Sequence, residues 1–150
     1  MSTLDVYLYF KGNCERAFDF YKSILEGEYD FIGRYKDIPQ KARQNFPYCT
    51  DEQIMHVTLP ISKETILMGS DLINSNEDTS ESKSGFSLYV NTDNKKEAER
   101  IFDALSGEGE IIVPIADQFW GSYYGLCIDK FGISWKISCS KYEHKKNEAQ

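Results

Sequence analysis

The order strand, helix, three strands is readable twice along this chain, and that duplication constrains the fold more than any other feature. In the first half, Cys14, Ala17, Phe18, Tyr21, Ile24 and Leu25 fall at intervals of three and one, which trace a single apolar helix face. Eighty-one positions later Ala98, Phe102 and Leu105 stand where Ala17, Tyr21 and Ile24 stood, with Ile101 beside them. Residue identity between the halves is slight, so the repeat lies in the pattern. Aromatic and β-branched runs predict strands at Leu4 to Phe10, Glu28 to Tyr35, Ile54 to Leu59 and Thr65 to Met68. Their counterparts are Phe86 to Val90, Glu110 to Ile115, Gly121 to Ile128 and Ile133 to Cys139. Asn13 is expected to cap the first helix and Gly27 to end it at C′; Thr92-Asp93-Asn94 and Gly107 bound the second.

Two segments interrupt this plan. Lys36 to Gln53 is polar, contains Pro39 and Pro47, and is long for a connection, which suits a lid or binding loop. Asn74 to Ser84, NSNEDTSESKS, has no apolar residue and reads as a linker. The expected organisation is one domain over 1–150: module one at about 1–73, linker at about 74–84, module two at about 85–140, and a polar tail at 141–150. A lone module of this kind has an open sheet edge, so modules should pair within or between chains.

Composition narrows the function. Ten Tyr, nine Phe and two Trp give 14% aromatic residues, enough to fill a core and to line a pocket for a flat organic ligand. A net charge of −7 argues against nucleic acid; the one dense basic run, Lys141 to Lys146, is interrupted by Glu143 and reads as solvated tail. No apolar stretch approaches a membrane span. The opening MSTLDVYLYF lacks the basic and long apolar regions of a secretion signal, and Cys14, Cys49, Cys127 and Cys139 form no CxxC pair. Both point to free thiols in a reducing cytoplasm.

Several motifs, in order, carry a resemblance. Phe10 to Leu25, FKGNCERAFDFYKSIL, resembles the first helix of the vicinal oxygen chelate (glyoxalase/bleomycin-resistance/dioxygenase) superfamily. Asp129-Lys130-Phe131-Gly132 resembles its D-P-x-G turn, with Lys130 in place of proline. Ala116 to Ser138, ADQFWGSYYGLCIDKFGISWKIS, and Ile54-Met55-His56-Val57 resemble the PhnB-like branch. The resemblance implies an α+β fold of two βαβββ modules forming an incomplete barrel of mixed sheet around a cavity, and it implies a homodimer. The branch in places carries the name of a demethylubiquinone methyltransferase. The chain has no Gly-rich strand-to-helix loop followed by an acidic ribose binder, which a nucleoside-bearing methyl donor would suit.

In metal-dependent members of that superfamily the first, fourth, fifth and eighth strands each supply one ligand, commonly His, Gln or Glu. The corresponding positions here are Val6 or Tyr7, the vicinity of Leu67 to Gly69, Ser87, and Lys136. An ammonium cannot coordinate, and its charge repels a divalent ion. The chain holds two histidines, His56 and His144, the latter in the tail. No metal or other cofactor is expected.

The remaining candidates each carry two readings. His56, in an apolar strand, suits a general base or a hydrogen-bonded structural histidine. Phe119 and Trp120 suit a cavity rim that stacks on a flat substrate, or a plug for one end of the sheet. Asp117 suits a ligand contact or, better, a turn cap. Tyr7 and Tyr9 share one strand face, as do Trp135, Ile137 and Cys139; one such set must line the concave side of its sheet, with Tyr124 a further candidate there. Together these readings favour a metal-independent binding protein for a small organic molecule. The alternative is a superfamily enzyme, of lyase, isomerase or dioxygenase type, with a non-standard site around His56.

Overall fold

A computed structural model describes residues 2–75 and 85–139. The linker and tail expected from composition lie almost wholly outside those residues. The chain divides into two compact units, residues 1–81 and 82–150. In the first, β1 (Val6–Phe10) leads to α1 (Cys14–Leu25), β2 (Phe31–Arg34), α2 (Gln40–Arg43), β3 (Ile54–Pro60) and β4 (Ile66–Asp71). In the second, β5 (Leu88–Asn91) leads to α3 (Lys95–Ser106), β6 (Glu110–Asp117), β7 (Tyr123–Ile128) and β8 (Ser134–Cys139). The sheets are ordered β1-β4-β3-β2 and β5-β8-β7-β6, so both units are βαβββ with one topology. In each, the first and last strands run parallel and the other pairs antiparallel, giving an open mixed sheet. Both ends of α3 lie 81 positions beyond those of α1, the spacing read from the sequence.

Each long helix covers one face of its own sheet. Cys14, Ala17, Phe18, Tyr21 and Ile24 are buried on α1, against Leu8 and Phe10 of β1, Val57 and Leu59 of β3, and Leu67 of β4. On α3, Ala98, Ile101, Phe102 and Leu105 face a sheet side lined by Leu88, Cys127, Trp135, Ile137 and Cys139. Close approach is secured by a glycine in each sheet. A Cβ at Gly69 would stand 2.6 Å from the Phe18 ring, and one at Gly125 would stand 2.7 Å from the Phe102 ring.

The helix ends depart from expectation in the first unit. The Asn13 side chain makes no capping bond to α1. The job falls to Asp71 at the end of β4: its Oδ1 accepts from the amides of Gly12 at 2.8 Å and Cys14 at 3.0 Å. Its Oδ2 accepts from the Ile54 amide at 2.9 Å, and its carbonyl takes the Tyr35 hydroxyl. The left-handed residue ending α1 is Glu26, with φ of 60°, rather than Gly27. Gly27 is required for another reason, since a Cβ there would meet the Pro60 carbonyl at 2.7 Å. In the second unit Asn94 caps α3 as expected, its side chain accepting from the Glu97 amide at 2.8 Å.

The segment after β2 is tied down rather than extended into solvent. It starts with a 3₁₀ turn at Tyr35–Asp37, and Tyr35 and Cys49 are buried. The Arg43 guanidinium donates to the carbonyls of Phe46 and Cys49, and lies 5.5 Å from the Tyr35 ring.

Because Asp71 serves three otherwise unsatisfied amides in a buried place, Asp71→Ala should cost about 3 kcal/mol or more of unfolding free energy. Urea denaturation followed by circular dichroism checks this; a loss near zero would show that Asp71 does not hold the unit together.

Candidate functional site

Strand alternation leaves each sheet a second face, away from its helix. On the first sheet, register places Tyr7 beside Met68 and Tyr9 beside Ser70, while Phe31 pairs with Thr58 and Gly33 with His56. All of these point away from α1, because Leu8, Val57, Leu59 and Leu67 between them are buried beneath it. Four rings then run in a row across the sheet. Tyr9 and Tyr7 have centroids 5.0 Å apart, Tyr7 and His56 5.6 Å, and His56 and Phe31 6.0 Å. Tyr9 is 62% and Phe31 49% exposed, so the row presents apolar area outward.

His56 is the polar centre of this face. Its Nδ1 lies 3.2 Å from the Tyr7 hydroxyl and its Nε2 2.9 Å from the Thr58 hydroxyl. With the proton on Nε2, the ring donates to Thr58 and accepts from the Tyr7 O–H; the opposite tautomer reverses both bonds. Burial raises the Tyr7 hydroxyl above its ordinary value, against a lowering hydrogen bond from Ser70. Tyr7 therefore stays protonated at neutral pH and can donate. The face offers an apolar shelf of mutually tilted rings with one imidazole and several hydroxyls, and carries no carboxylate at these positions.

On the second sheet the outward face carries Tyr89, Asn91, Lys136 and Ser138, with Tyr124 and Leu126 across the next strand. The β6–β7 turn adds two rings. Trp120 stands 5.7 Å from Tyr124, and Phe119 lies edge-on to Trp120 at 4.9 Å. Phe119 is 97% and Trp120 52% exposed.

The structure thus gathers Tyr7, Tyr9 and His56 on one outward face, and Phe119, Trp120 and Tyr124 on the other. It does not bring Asp117 or Trp135 to either. Asp117 ends β6 and pairs with Lys95 at 2.8 Å. Trp135 is 2% exposed on the helix side, its indole donating to Asp129 at 2.8 Å. Phe31, Thr58, Ser70 and Tyr89 belong to the outward faces and were not singled out from sequence. Thr58 follows His56 by two in a strand and was available from alternation; Ser70 was hidden because Gly69-Ser70-Asp71 looks like a turn.

The strands that would supply metal ligands offer few donor side chains. Outward positions on β1 and β4 are Tyr7, Tyr9, Met68 and Ser70, and those on β5 and β8 include Tyr89 and Lys136; Ser87, just before β5, hydrogen-bonds Ser134 at 2.6 Å. Among the described residues no group of three or more His, Cys, Asp or Glu could hold a metal ion. These residues do not fit a divalent ion of the His/Glu-ligated kind.

Two mixed βαβββ units with helix-covered and open faces define a class. The same fold occurs in a glyoxalase/bleomycin resistance/dioxygenase domain from Frankia, with a TM-score of 0.66 at 10% identity over 99% of this chain and 98% of that one. The chain therefore has the fold of the glyoxalase/bleomycin resistance/dioxygenase proteins. Residues 2–138 match the family described as 3-demethylubiquinone-9 3-methyltransferase, and the chain belongs to that PhnB-like family. It is 31% identical to Protein YjdN of Escherichia coli, over 93% of this chain and 97% of that one. Among solved structures it is similar to PA1353 from Pseudomonas aeruginosa, at 33% identity and a TM-score of 0.79, covering 93% and 98% of the two chains. It is also similar to a putative 3-demethylubiquinone-9 3-methyltransferase, PhnB protein, from Bacillus cereus, at 24% identity and a TM-score of 0.75, covering 93% and 100%. No described helix is long and apolar enough to cross a membrane.

All four cysteines are free and buried. Burial pushes the Cys127 thiol from its ordinary 9.0 up to about 11, and the nearby Asp129 charge adds to this. Burial raises Cys14 as well, next to Asp71, and Tyr35, which hydrogen-bonds Cys49. In each case the fold prefers the neutral form, so it binds protons that the unfolded chain has already released. Stability from Cys127 is complete below its unfolded value of 9.0 and is lost as pH rises through about 11. The urea midpoint should therefore fall across that window, less steeply in Cys127→Ala; a flat profile would contradict the assignment.

Proposed function

We propose that this chain binds a small, flat organic molecule without help from a metal, on the ring-lined open face of its first sheet. The observation that supports this most directly is the row Tyr9–Tyr7–His56–Phe31, carried by three strands, with its three aromatic rings exposed. Rings on a rigid sheet lose little conformational freedom on binding, and the imidazole and hydroxyls can orient a polar substituent. The superfamily fold hosts many activities, so the family's description does not by itself assign methyl transfer to this chain. At the strand-to-helix junction Asp71 already takes the amides of Gly12 and Cys14, two donors that a phosphate-bearing ligand would otherwise use.

The same reading includes a homodimer in the cytoplasm. Edge strands β1, β2, β5 and β6 lack a second partner within their sheets, and a second copy would supply one. Four free buried thiols suit a reducing compartment. Sedimentation at micromolar concentration tests the dimer directly.

One observation favours a second reading. The Tyr7–His56–Thr58 chain of hydrogen bonds can pass a proton, as a lyase or isomerase would require.

The decisive experiment is a screen of small aromatic compounds by NMR, with and without chelator, reading the His56 and Tyr ring signals. Hits should shift those signals equally in both conditions, and the double variant Tyr9→Ala/Phe31→Ala should weaken them about tenfold. Binding that disappears with chelator would overturn the metal-free reading, and the absence of any shift at these rings would overturn the site. Loss of turnover in His56→Gln, with binding kept, would establish the enzymatic reading.

A further inference from the structure

The second sheet carries a cation that the binding reading leaves unused. Lys136 sits in the middle of β8, on the outward face, flanked by Tyr89 on β5 and Leu126 on β7. It is exposed and makes no ion pair among the described residues; the contact it does make is with the Tyr124 ring, 5.9 Å from its Nζ. Two other lysines of this unit are paired, Lys95 with Asp117 at 2.8 Å and Lys130 with Glu108 at 3.3 Å. The carboxylate that the register puts on the same face, Glu110, is opposite Ile128 at the sheet edge, two strands away. In a chain of net charge −7, an ammonium at the centre of a sheet face whose register-placed carboxylate lies at the far edge is a local exception.

Its surroundings are those of an acceptor for an anion with a ring attached. On either side of Lys136 along β8 stands a serine whose hydroxyl is already paired with another. Ser134 meets Ser87 at 2.6 Å, and Ser138 meets Ser122 at 3.4 Å. In each pair either hydroxyl can be the donor; Ser138 is buried, so the O–H turned toward an oxyanion without breaking a pair is that of Ser122, Ser87 or Ser134. Beyond Tyr124 the row continues through Trp120 to Phe119, both exposed. Cation, hydroxyls and stacking surface are thus contiguous on one rigid sheet.

We propose that this face binds a small aromatic anion, with Lys136 meeting its carboxylate or sulfonate and Tyr89, Tyr124 and Trp120 stacking on its ring. The proposal deepens the small-molecule reading and rests on it. Aromatic stacking alone would accept charged and uncharged rings alike; the ammonium makes the site choose the anion.

The test compares two fluorescent probes with the same ring system, anilinonaphthalene sulfonate and its uncharged parent phenylnaphthylamine, on the full chain. Probe fluorescence reports binding, and Trp120→Phe separates energy transfer from Trp120 and from Trp135. The sulfonate should bind more tightly, and Lys136→Met should weaken it about tenfold, the scale of one charge-assisted contact, while changing the uncharged probe less than about twofold. Lys136→Arg should keep the preference, and circular dichroism confirms that each variant is folded. Equal binding of the two probes, or a Lys136→Met protein with unchanged preference, overturns the anion site and leaves the small-molecule reading standing. Binding of neither probe to the wild-type chain overturns both.

Discussion

The first unit depends on one buried carboxylate. Asp71 ends β4 on the side facing α1, where it accepts from the amides of Gly12, Cys14 and Ile54. A buried charge of this kind is tolerable only when its lone pairs are filled, and here backbone donors from three places fill them. The consequence is geometric: the start of the helix, the start of β3 and the end of β4 meet at one residue. The Tyr35 hydroxyl on the Asp71 carbonyl adds the segment after β2 to the same point. The second unit uses a different anchor. Asp129, also buried, closes the turn before β8 by accepting from Phe131 and Ile133, and holds the Trp135 indole. With Asn94 capping α3 directly, that helix needs no carboxylate from a neighbouring strand.

This arrangement explains what could be read from the chain beforehand. Both long helices and their buried faces follow from apolar spacing, because a 3.6-residue period over twelve residues has one structural meaning. The duplication follows from the same spacing. Strand ends were harder. β4 runs on through Gly69-Ser70-Asp71, three residues that signal a turn by local chemistry but are held in the sheet by pairing with β1. Asn13 illustrates the same limit: a good local cap is displaced by a carboxylate 58 positions away, and no local rule contains that partner.

The site was legible in sets rather than in faces. Alternation groups Tyr7 with Tyr9, and Trp135 with Ile137 and Cys139, but which set looks outward depends on where the helix lies. The helix settled it: the tyrosines are outside and the tryptophan is core. Trp135 could be mistaken for a ligand ring because its partner, Asp129, becomes adjacent only when the hairpin forms. His56 kept both of its sequence readings, being structurally hydrogen-bonded at each nitrogen and still set among exposed rings.

The two faces of each sheet answer to different constraints, and this is why the halves diverge where they do. Beneath the helices, volume decides. A glycine in each sheet, Gly69 on β4 and Gly125 on β7, lets a helix phenylalanine rest on the backbone, and a single added carbon would collide in either place. Outward, packing constrains fewer side chains, and the halves differ in character. One face is uncharged, built from rings, an imidazole and hydroxyls; the other sets a lysine among rings and serines. Two copies of one topology can thus keep the same buried architecture while presenting surfaces of different electrostatic preference. Whatever chemistry distinguishes the halves has to reside on those outward faces, since the helix-side faces are already committed to holding the fold.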